Sequence, residues 1–169
     1  MPENTSQISP TASRPTMQDY GISSDRKGLM DWSWAEEQLG KARNYWICTA
    51  SADGTPDAAP VWAVWLEGAL YFGIGARSRK ARNFRHNPNN VIVHLESGDD
   101  VVIMRGAVTE MHDAALFVRI AKLYAEKYAF NPGEGDQTPE AAGFWAFKPA
   151  SGLTWLEKDF PNTATRWAF

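Results

Sequence analysis

Short apolar segments alternate with turn sequences over much of this 169-residue chain, and that alternation restricts the fold more than any other feature. The turn sequences ADGT and LEGA separate apolar runs that have the length of antiparallel strands. Strands are predicted near 45–51, 57–66 and 69–74, in NVIVHLES and DVVIMRGAVTEM, and in a last hairpin formed by GFWAFKP and GLTWLEKDF. The chain is therefore expected to be mainly β, as a β-barrel or a related α+β fold.

Helices are predicted at the periphery of this sheet. One begins in DWSWAEEQLGKAR, where Ser33 and Glu36 have capping-box spacing. Another, DAALFVRIAKLYAEKY, has an apolar face formed by Phe117, Ile120, Ala121, Tyr124 and Tyr128. This amphipathic pattern predicts a helix that lies on the sheet. The polar loop that follows, residues 129–142, is either a lid or simply mobile.

The length of the chain and its hydrophobic content of 44% predict one domain with one core. Residues 1–24 are rich in Ser, Thr and Pro, so we expect a flexible N-terminal arm followed by a single domain over residues 25–169. No apolar run is long enough for a membrane span, and the N-terminus lacks the pattern of a secretory signal. These features predict a cytoplasmic protein.

The charge composition argues against a surface that coats nucleic acid or an anionic membrane. Lys and Arg number 17 against 20 Asp and Glu, which gives a formal net charge of -3. Cys48 is the single cysteine, so an internal disulfide and a thiolate metal cluster are excluded. His86, His94 and His112 are not spaced with carboxylates as metal ligands are, and no metal site is expected.

Positive charge is nevertheless concentrated in one segment, GIGARSRKARNFRHNPN, residues 73–89. Within nine positions it carries Arg77, Arg79, Lys80, Arg82 and Arg85. No acidic residue occurs between Glu67 and Glu96, so these charges have no partner nearby in the sequence. A phosphate would supply the missing negative charge.

The same segment contains the signals of a short helix that follows a strand. Ser78 is a suitable N-cap, and a helix is predicted from about residue 79 to 86, before Asn87 and Pro88. Free backbone N–H groups and the positive end of the helix dipole make its N-terminus an anion pocket, and Arg79 and Lys80 lie in the first turn.

Two other interpretations of the basic segment stay open. The arginines can form a solvated helix face that pairs with carboxylates elsewhere in the fold. Basic residues near Trp62, Trp65 and Tyr71 can also bind nucleic acid. The net charge and the placement of these aromatic residues within strands disfavour nucleic acid, so a small molecule is the expected partner.

The order of these features resembles that of a known family. Over residues 32–169 the chain is similar to the pyridoxamine 5'-phosphate oxidase-like split-barrel family of flavin and deazaflavin oxidoreductases. The segments that carry the resemblance are YWICTASADGTPDAAPVWAVWLEGALYFGIG and, after it, SRKARNFRHNPNNVIVHLE. The resemblance implies a split β-barrel that binds FMN, or alternatively a deazaflavin. It further implies a homodimer with the cofactor in a groove at the subunit interface.

The resemblance also implies roles for particular residues. Arg79 and Lys80 match positions that bind the cofactor phosphate, and Ser78 and Asn83 support them. The strand that contains Pro60, Val61 and Trp62 matches the strand that runs beside the cofactor ring in that family. Additional charge at Arg77, Arg82 or Arg85 would serve the longer acidic tail of a deazaflavin.

The implied activity is hydride transfer to or from a small planar substrate, and no side chain is assigned a catalytic role. The C-terminal LEKDFPNTATRWAF lacks the Arg- and His-bearing motif that grips pyridoxamine phosphate, so that reaction is not expected. Arg166 and Trp167 either reach the partner chain's pocket or belong to a terminal segment that only docks. The alternative function is non-catalytic binding or sequestration of a flavin, a deazaflavin or a tetrapyrrole.

Overall fold

The computed structural model describes residues 9–135 and 137–169. Its strands are β1 (Thr11–Ser13), β2 (Tyr45–Ala50), β3 (Pro56–Val61), β4 (Val64–Leu66), β5 (Ala69–Gly73), β6 (Val91–His94), β7 (Asp100–Glu110), β8 (Phe144–Leu156) and β9 (Thr165–Ala168). Its helices are α1 (Trp32–Lys41), α2 (Arg79–His86), α3 (Ala114–Tyr128) and α4 (Phe160–Thr163), with a 3-10 turn at Glu157–Asp159. Mainly β structure with peripheral helices is confirmed.

All the strands join one antiparallel sheet with the order β1-β9-β8-β7-β6-β2-β3. The first part of β8 also pairs with β5, which in turn pairs with β4. The β7–β8 ladder shifts register between Arg105 and Gly106. A Cβ atom on Gly106 would lie 2.0 Å from the carbonyl oxygen of Lys148, so only glycine allows this approach of the two strands.

The strand boundaries differ from the prediction in two places. The hairpin predicted from GFWAFKP and GLTWLEKDF is wrong, because residues 144–156 form the continuous strand β8. Its partner β7 runs alongside it over its whole length, so no turn is needed at Pro149. The strand predicted at 57–66 is two strands, β3 and β4, with Trp62 and Ala63 between them.

The helices agree more closely with the sequence pattern. Helix α2 begins after its N-cap Ser78 and ends at His86, and α3 buries the predicted apolar face. Helix α1 begins at Trp32 with Asp31 as its N-cap, so the predicted capping box at Ser33 is wrong. No helix in the described ranges is both long and apolar enough to cross a membrane.

Part of the segment predicted to be an N-terminal arm, residues 11–14, contacts the rest of the chain. Strand β1 pairs with β9 and extends the sheet. The Arg14 guanidinium donates hydrogen bonds to the backbone carbonyl oxygens of Asp25, Lys27, Asn162 and Ala164, at 2.6 to 3.0 Å. Residues 1–8 of the predicted arm lie outside the described residues.

Two groups of buried side chains pack on the sheet. One lies among β2, β5, β6, β7 and β8 and includes Leu39 of α1 and Phe84 of α2. The other lies between α3 and the β4–β5 hairpin and includes Tyr71 and Tyr124. Strand β5 contributes to both groups through alternate side chains, so α2 and α3 are both anchored close to the strand end at Gly73.

Candidate functional site

A cleft of about 730 Å³ opens beside the ends of β3 and β5. We call the lining residues Pro60, Val61, Trp62, Gly73, Ile74, Gly75 and Ala76 the first wall. The rest of the described lining consists of the loop residues Phe130, Asn131, Pro132, Glu134, Gln137, Ala141 and Ala142, together with Tyr124, Gly143 and Phe144. The loop at 129–142, predicted to be either a lid or mobile, thus supplies part of the cleft lining.

The first wall is held in place from behind by α3. The Tyr124 hydroxyl donates a hydrogen bond to the Trp62 carbonyl oxygen at 2.6 Å. The Trp62 ring stacks on Tyr128, with centroids 4.7 Å apart and planes 7° from parallel. The Tyr128 hydroxyl also lies 2.8 Å from the carbonyl oxygens of Arg43 and Ala63. Trp62 therefore has a fixed backbone and one covered ring face, while 41% of the residue is exposed.

Lys127 is half-buried beside Tyr45 and Tyr128. Its Nζ donates hydrogen bonds to the Tyr45 hydroxyl at 2.8 Å and to the Ala63 carbonyl oxygen at 3.1 Å. Burial lowers the pKa of Lys127 to about 8 and raises the pKa values of Tyr45 and Tyr124. Sequence reasoning assigned the tyrosines of α3 to the core and missed this polar cluster, although their i, i+4 spacing was visible.

The N-terminus of α2 directly follows the cleft wall at Ala76. The Ser78 hydroxyl accepts a hydrogen bond from the N–H of Ala81 at 3.1 Å, as an N-cap does. The N–H groups of Arg79 and Lys80 come before the first residue that can donate within the helix. They are therefore free to bind an anion, and the helix dipole favours one there.

Two of the five basic side chains in the segment pair with carboxylates that are distant in sequence. Arg79 lies 3.6 Å from Asp57 of β3, and Arg85 lies 3.3 Å from Glu110 of β7. For Arg79 and Arg85 the structure therefore agrees with the other interpretation of the basic segment, in which carboxylates elsewhere in the fold neutralise the arginines. Within the described ranges, no carboxylate pairs with Arg77, Lys80 or Arg82.

Asn83 faces the sheet and not the solvent. It is 4% exposed, and its Nδ2 donates a hydrogen bond to the Thr49 Oγ1 at 2.8 Å. The amide therefore fastens α2 to β2. The amide nitrogen is already engaged by Thr49, so the part that this hydrogen bond shows for Asn83 is to hold the helix in position.

The two C-terminal residues predicted to contact a partner have different environments. Trp167 is 2% exposed, its Nε1 donates a hydrogen bond to the Thr154 Oγ1 at 2.9 Å, and its ring packs on Trp32. The indole therefore packs inside its own chain. Arg166 is exposed and lines a smaller cavity of about 280 Å³ with Arg105.

The antiparallel sheet, the cleft at its edge and the cationic helix N-terminus define a mainly β protein with a ligand-sized site. A protein-family model described as pyridoxamine 5'-phosphate oxidase matches residues 34–156. The chain belongs to this family, which confirms the resemblance seen in the sequence. A search of curated protein sequences found no significant match.

Solved structures with the same fold are found at low sequence identity. A conserved hypothetical protein from Mycobacterium tuberculosis is 20% identical, with a TM-score of 0.63 and coverage of 85% of this chain and 91% of that one. An F420 reductase is 20% identical, with a TM-score of 0.51 over 69% of this chain and 94% of the other. A heme storage protein from Vibrio cholerae is 16% identical, with a TM-score of 0.53 over 69% and 87%. At these identities the likeness concerns the fold alone.

Proposed function

We propose that this chain is a homodimeric split-barrel oxidoreductase that binds FMN or a deazaflavin in the cleft. Hydride would pass between the bound ring and a small planar substrate. The observation that carries the proposal is the meeting of two features at one cleft. A flat apolar wall at Pro60–Trp62 lines the cleft, and the cationic helix α2 begins three residues after Ala76, which also lines it.

The residues present suit such a cofactor in spacing as well as in chemistry. Arg79 pairs with Asp57, and from Asp57 to Val61 the strand β3 extends over about 13 Å. A five-carbon chain ending in a phosphate, together with the adjoining ring, covers a distance of this order. The Arg79 guanidinium, placed by Asp57, and the apolar wall are therefore spaced in a way that is compatible with the two ends of FMN.

A bound flavin or deazaflavin supplies a ring that accepts and donates hydride. The chain's own residues bind and orient. Arg79 and Lys80 would hold the phosphate with charge-assisted hydrogen bonds, while Arg77 and Arg82 are available for a longer acidic tail. The backbone of Pro60 and Val61 would lie beside the ring, and the loop residues that line the cleft would exclude water.

A second copy of the chain would cover the outer face of the sheet. Trp46, Cys48, Ile92, Ile103 and Leu153 are half-buried and alternate with fully buried core residues. With their cross-strand partners Arg105 and Arg166 they form a mixed face of apolar and cationic side chains, which continues across β2 to Pro60, the partner of Trp46. A dimer through this face would bring the second copy to the edge of the cleft, and analytical ultracentrifugation measures the oligomeric state.

The alternative is a protein that holds a flavin, a deazaflavin or a tetrapyrrole without turnover. The described cleft lining favours it in one respect, because it consists mainly of glycine, proline and apolar residues, with few groups for proton transfer. A fold neighbour that is named a heme storage protein is consistent with such a role. Turnover of a reduced cofactor with a panel of quinone, nitro and tetrapyrrole acceptors separates catalysis from storage.

The absorbance and fluorescence spectra of the purified protein, followed by titration with FMN and then with the deazaflavin, test the proposal. The double variant Arg79→Ala, Lys80→Ala loses two charge-assisted contacts, each worth about 1.5 to 3 kcal/mol. Binding should weaken about a hundredfold or more. Lys122→Ala, an exposed change on α3, is the matched control. Unchanged affinity in the double variant would refute the assigned phosphate site.

A further inference from the structure

A second cavity, of about 280 Å³, lies on the outer face of the sheet, and we call it the outer cavity. It shares no lining residue with the cleft. Two arginines line it, Arg105 of β7 and Arg166 of β9, and both are exposed. The outer cavity is therefore a separate concave site with two positive charges.

The register of the sheet places the two arginines on either side of β8. Arg105 pairs with Ser151, and Arg166 pairs with Leu153. Partners in an antiparallel ladder project from the same face, and Ser151 and Leu153 share a face because they are two residues apart. Two strand spacings and this two-residue offset separate the Cα atoms of the arginines by about 12 Å. A small anion above β8 can therefore contact both guanidinium groups at once.

Neither guanidinium is neutralised by the described part of the chain. No carboxylate in residues 9–135 or 137–169 lies within ion-pairing distance of Arg105 or Arg166. Followed through the register from β3 to β1, the two cross-strand rows that contain these arginines hold no Asp or Glu in the described strands. A second copy that met this face with the same face would therefore bring no carboxylate to them from these rows.

The rest of the lining is mainly apolar. Its apolar side chains are those of Pro15, Met17, Ile92, Ile103 and Leu153. The hydroxyl groups of Thr16 and Ser151 add two donors that suit an oxyanion. Charged donors beside an apolar surface fit a molecule with an anionic head and an apolar body, and the volume restricts that molecule to a small one.

We propose that the outer cavity binds a small carboxylate with an apolar body. The carboxylate lies between Arg105 and Arg166, and the body lies against Ile103 and Leu153. This inference does not rest on the proposed cofactor chemistry, because the outer cavity and the cleft have no residue in common. It does bear on the proposed dimer, since the bound anion neutralises the cationic part of the face that a second copy would meet. The ligand should therefore bind to the dimer as well as to the monomer.

Three probes with the same chain length and different head groups provide the first test: octanoate, 1-octanol and octylammonium at neutral pH. Isothermal titration calorimetry with the full chain measures their affinities. We expect octanoate to bind roughly fivefold more tightly than octanol, from two partly exposed charge contacts, and octylammonium to bind more weakly than octanol. Octanol that binds as tightly as octanoate would overturn the proposal.

Acetate tests the apolar part of the site, because it has the same head group without the body. It should bind at least about tenfold more weakly than octanoate. Equal affinities of acetate and octanoate would show that the site takes any small anion, and the assignment of an apolar body would be wrong.

Substitutions locate the head group. Arg105→Gln and Arg166→Gln should each weaken octanoate binding by roughly two- to fivefold and leave octanol binding unchanged. Lys148→Gln, at an exposed position of β8 outside the outer cavity, removes the same charge and is the matched control. If Lys148→Gln weakens octanoate as much as the arginine variants do, net charge explains the binding and the site is refuted. Arginine variants that bind octanoate as the parent does refute it as well.

Two further titrations distinguish the outer cavity from other places for the probe. Saturating FMN should leave the affinity for octanoate unchanged, and displacement of octanoate by FMN would place the probe in the cleft and overturn the proposal. The affinity should also stay the same or rise over protein concentrations at which analytical ultracentrifugation shows dimer formation. A fall would mean that the second copy itself fills the outer cavity, against the proposal. If FMN does not bind while octanoate binding follows Arg105 and Arg166, the proposed function fails and the outer cavity stands.

Discussion

The hydrogen bond between Asn83 and Thr49 predicts a measurable coupling between α2 and β2. Both residues are buried, at 4% and 7% exposure, and the donor and acceptor are 2.8 Å apart. Asn83→Ala removes the donor and leaves the Thr49 hydroxyl without this partner. Thr49→Val removes the hydroxyl and keeps the shape of the side chain. The double variant therefore has neither group left to be unsatisfied.

The magnitudes follow from the burial of the pair. Loss of a neutral hydrogen bond costs about 1 kcal/mol, and an unsatisfied buried partner adds about 1 to 2 kcal/mol. Each single change leaves one buried partner unsatisfied, so we expect Asn83→Ala and Thr49→Val each to lower the free energy of unfolding by about 2 to 3 kcal/mol. The double variant loses only the hydrogen bond and should lose about 3 kcal/mol less than the sum of the two single changes.

Urea unfolding followed by tryptophan fluorescence measures all four proteins, and equal m-values are required for the comparison. Asn90→Ala, at an exposed position in the loop after α2, is the matched control and should change stability by less than about 0.5 kcal/mol. A coupling energy below about 0.3 kcal/mol would show that the two side chains act independently. The reasoning about how α2 is held would then be wrong.

Lys127 and Gly106 give two further predictions about stability. Because burial lowers the pKa of Lys127 to about 8, the unfolded chain binds more protons than the folded protein between pH 8 and the usual lysine pKa near 10.4. The free energy of unfolding of the parent protein, minus that of Lys127→Met, should therefore rise by about 1 kcal/mol across this pH window, allowing for solvent screening. Urea unfolding measures this difference, and the same value at pH 7.5 and at pH 9.5 would contradict the prediction. Gly106→Ala places a Cβ 2.0 Å from the Lys148 carbonyl oxygen and should lower the free energy of unfolding by more than about 3 kcal/mol. The control Gly40→Ala in α1 meets nothing within 4 Å, so its stability should be unchanged or higher. Similar Tm values for the two variants in thermal unfolding would refute the close approach.

Local signals predicted the elements that depend on local chemistry. Helix α2 begins after Ser78 and ends before Pro88 because an N-cap and a helix breaker lie at the two ends. The buried face of α3 follows from apolar residues spaced by three and four, and β2 alternates as a strand with one face in the core. In each case the information lies within a few residues of the element.

Features that depend on pairing between distant segments could not be predicted in this way. The continuity of β8 past Pro149 is decided by its register with β7, and β1 exists because β9 offers it an edge. The Arg79–Asp57 contact and the burial of Trp167 likewise join parts of the chain whose proximity only the tertiary fold determines. The basic segment alone therefore could not show which arginines have carboxylate partners.

The two ends of the cleft are positioned by different helices, and this separation has a consequence for function. The anion pocket depends on α2, which Asn83 fastens to β2. The Trp62 wall depends on the tyrosines of α3, and the loop part of the lining begins at Phe130, directly after the left-handed C-cap of α3 at Ala129, where φ is 52°. Changes in α3 or in its following loop should therefore alter the apolar lining while the N-terminus of α2 keeps its geometry, and changes in α2 should have the opposite effect. Under the proposed function, such a scaffold would keep its cofactor and vary its substrate.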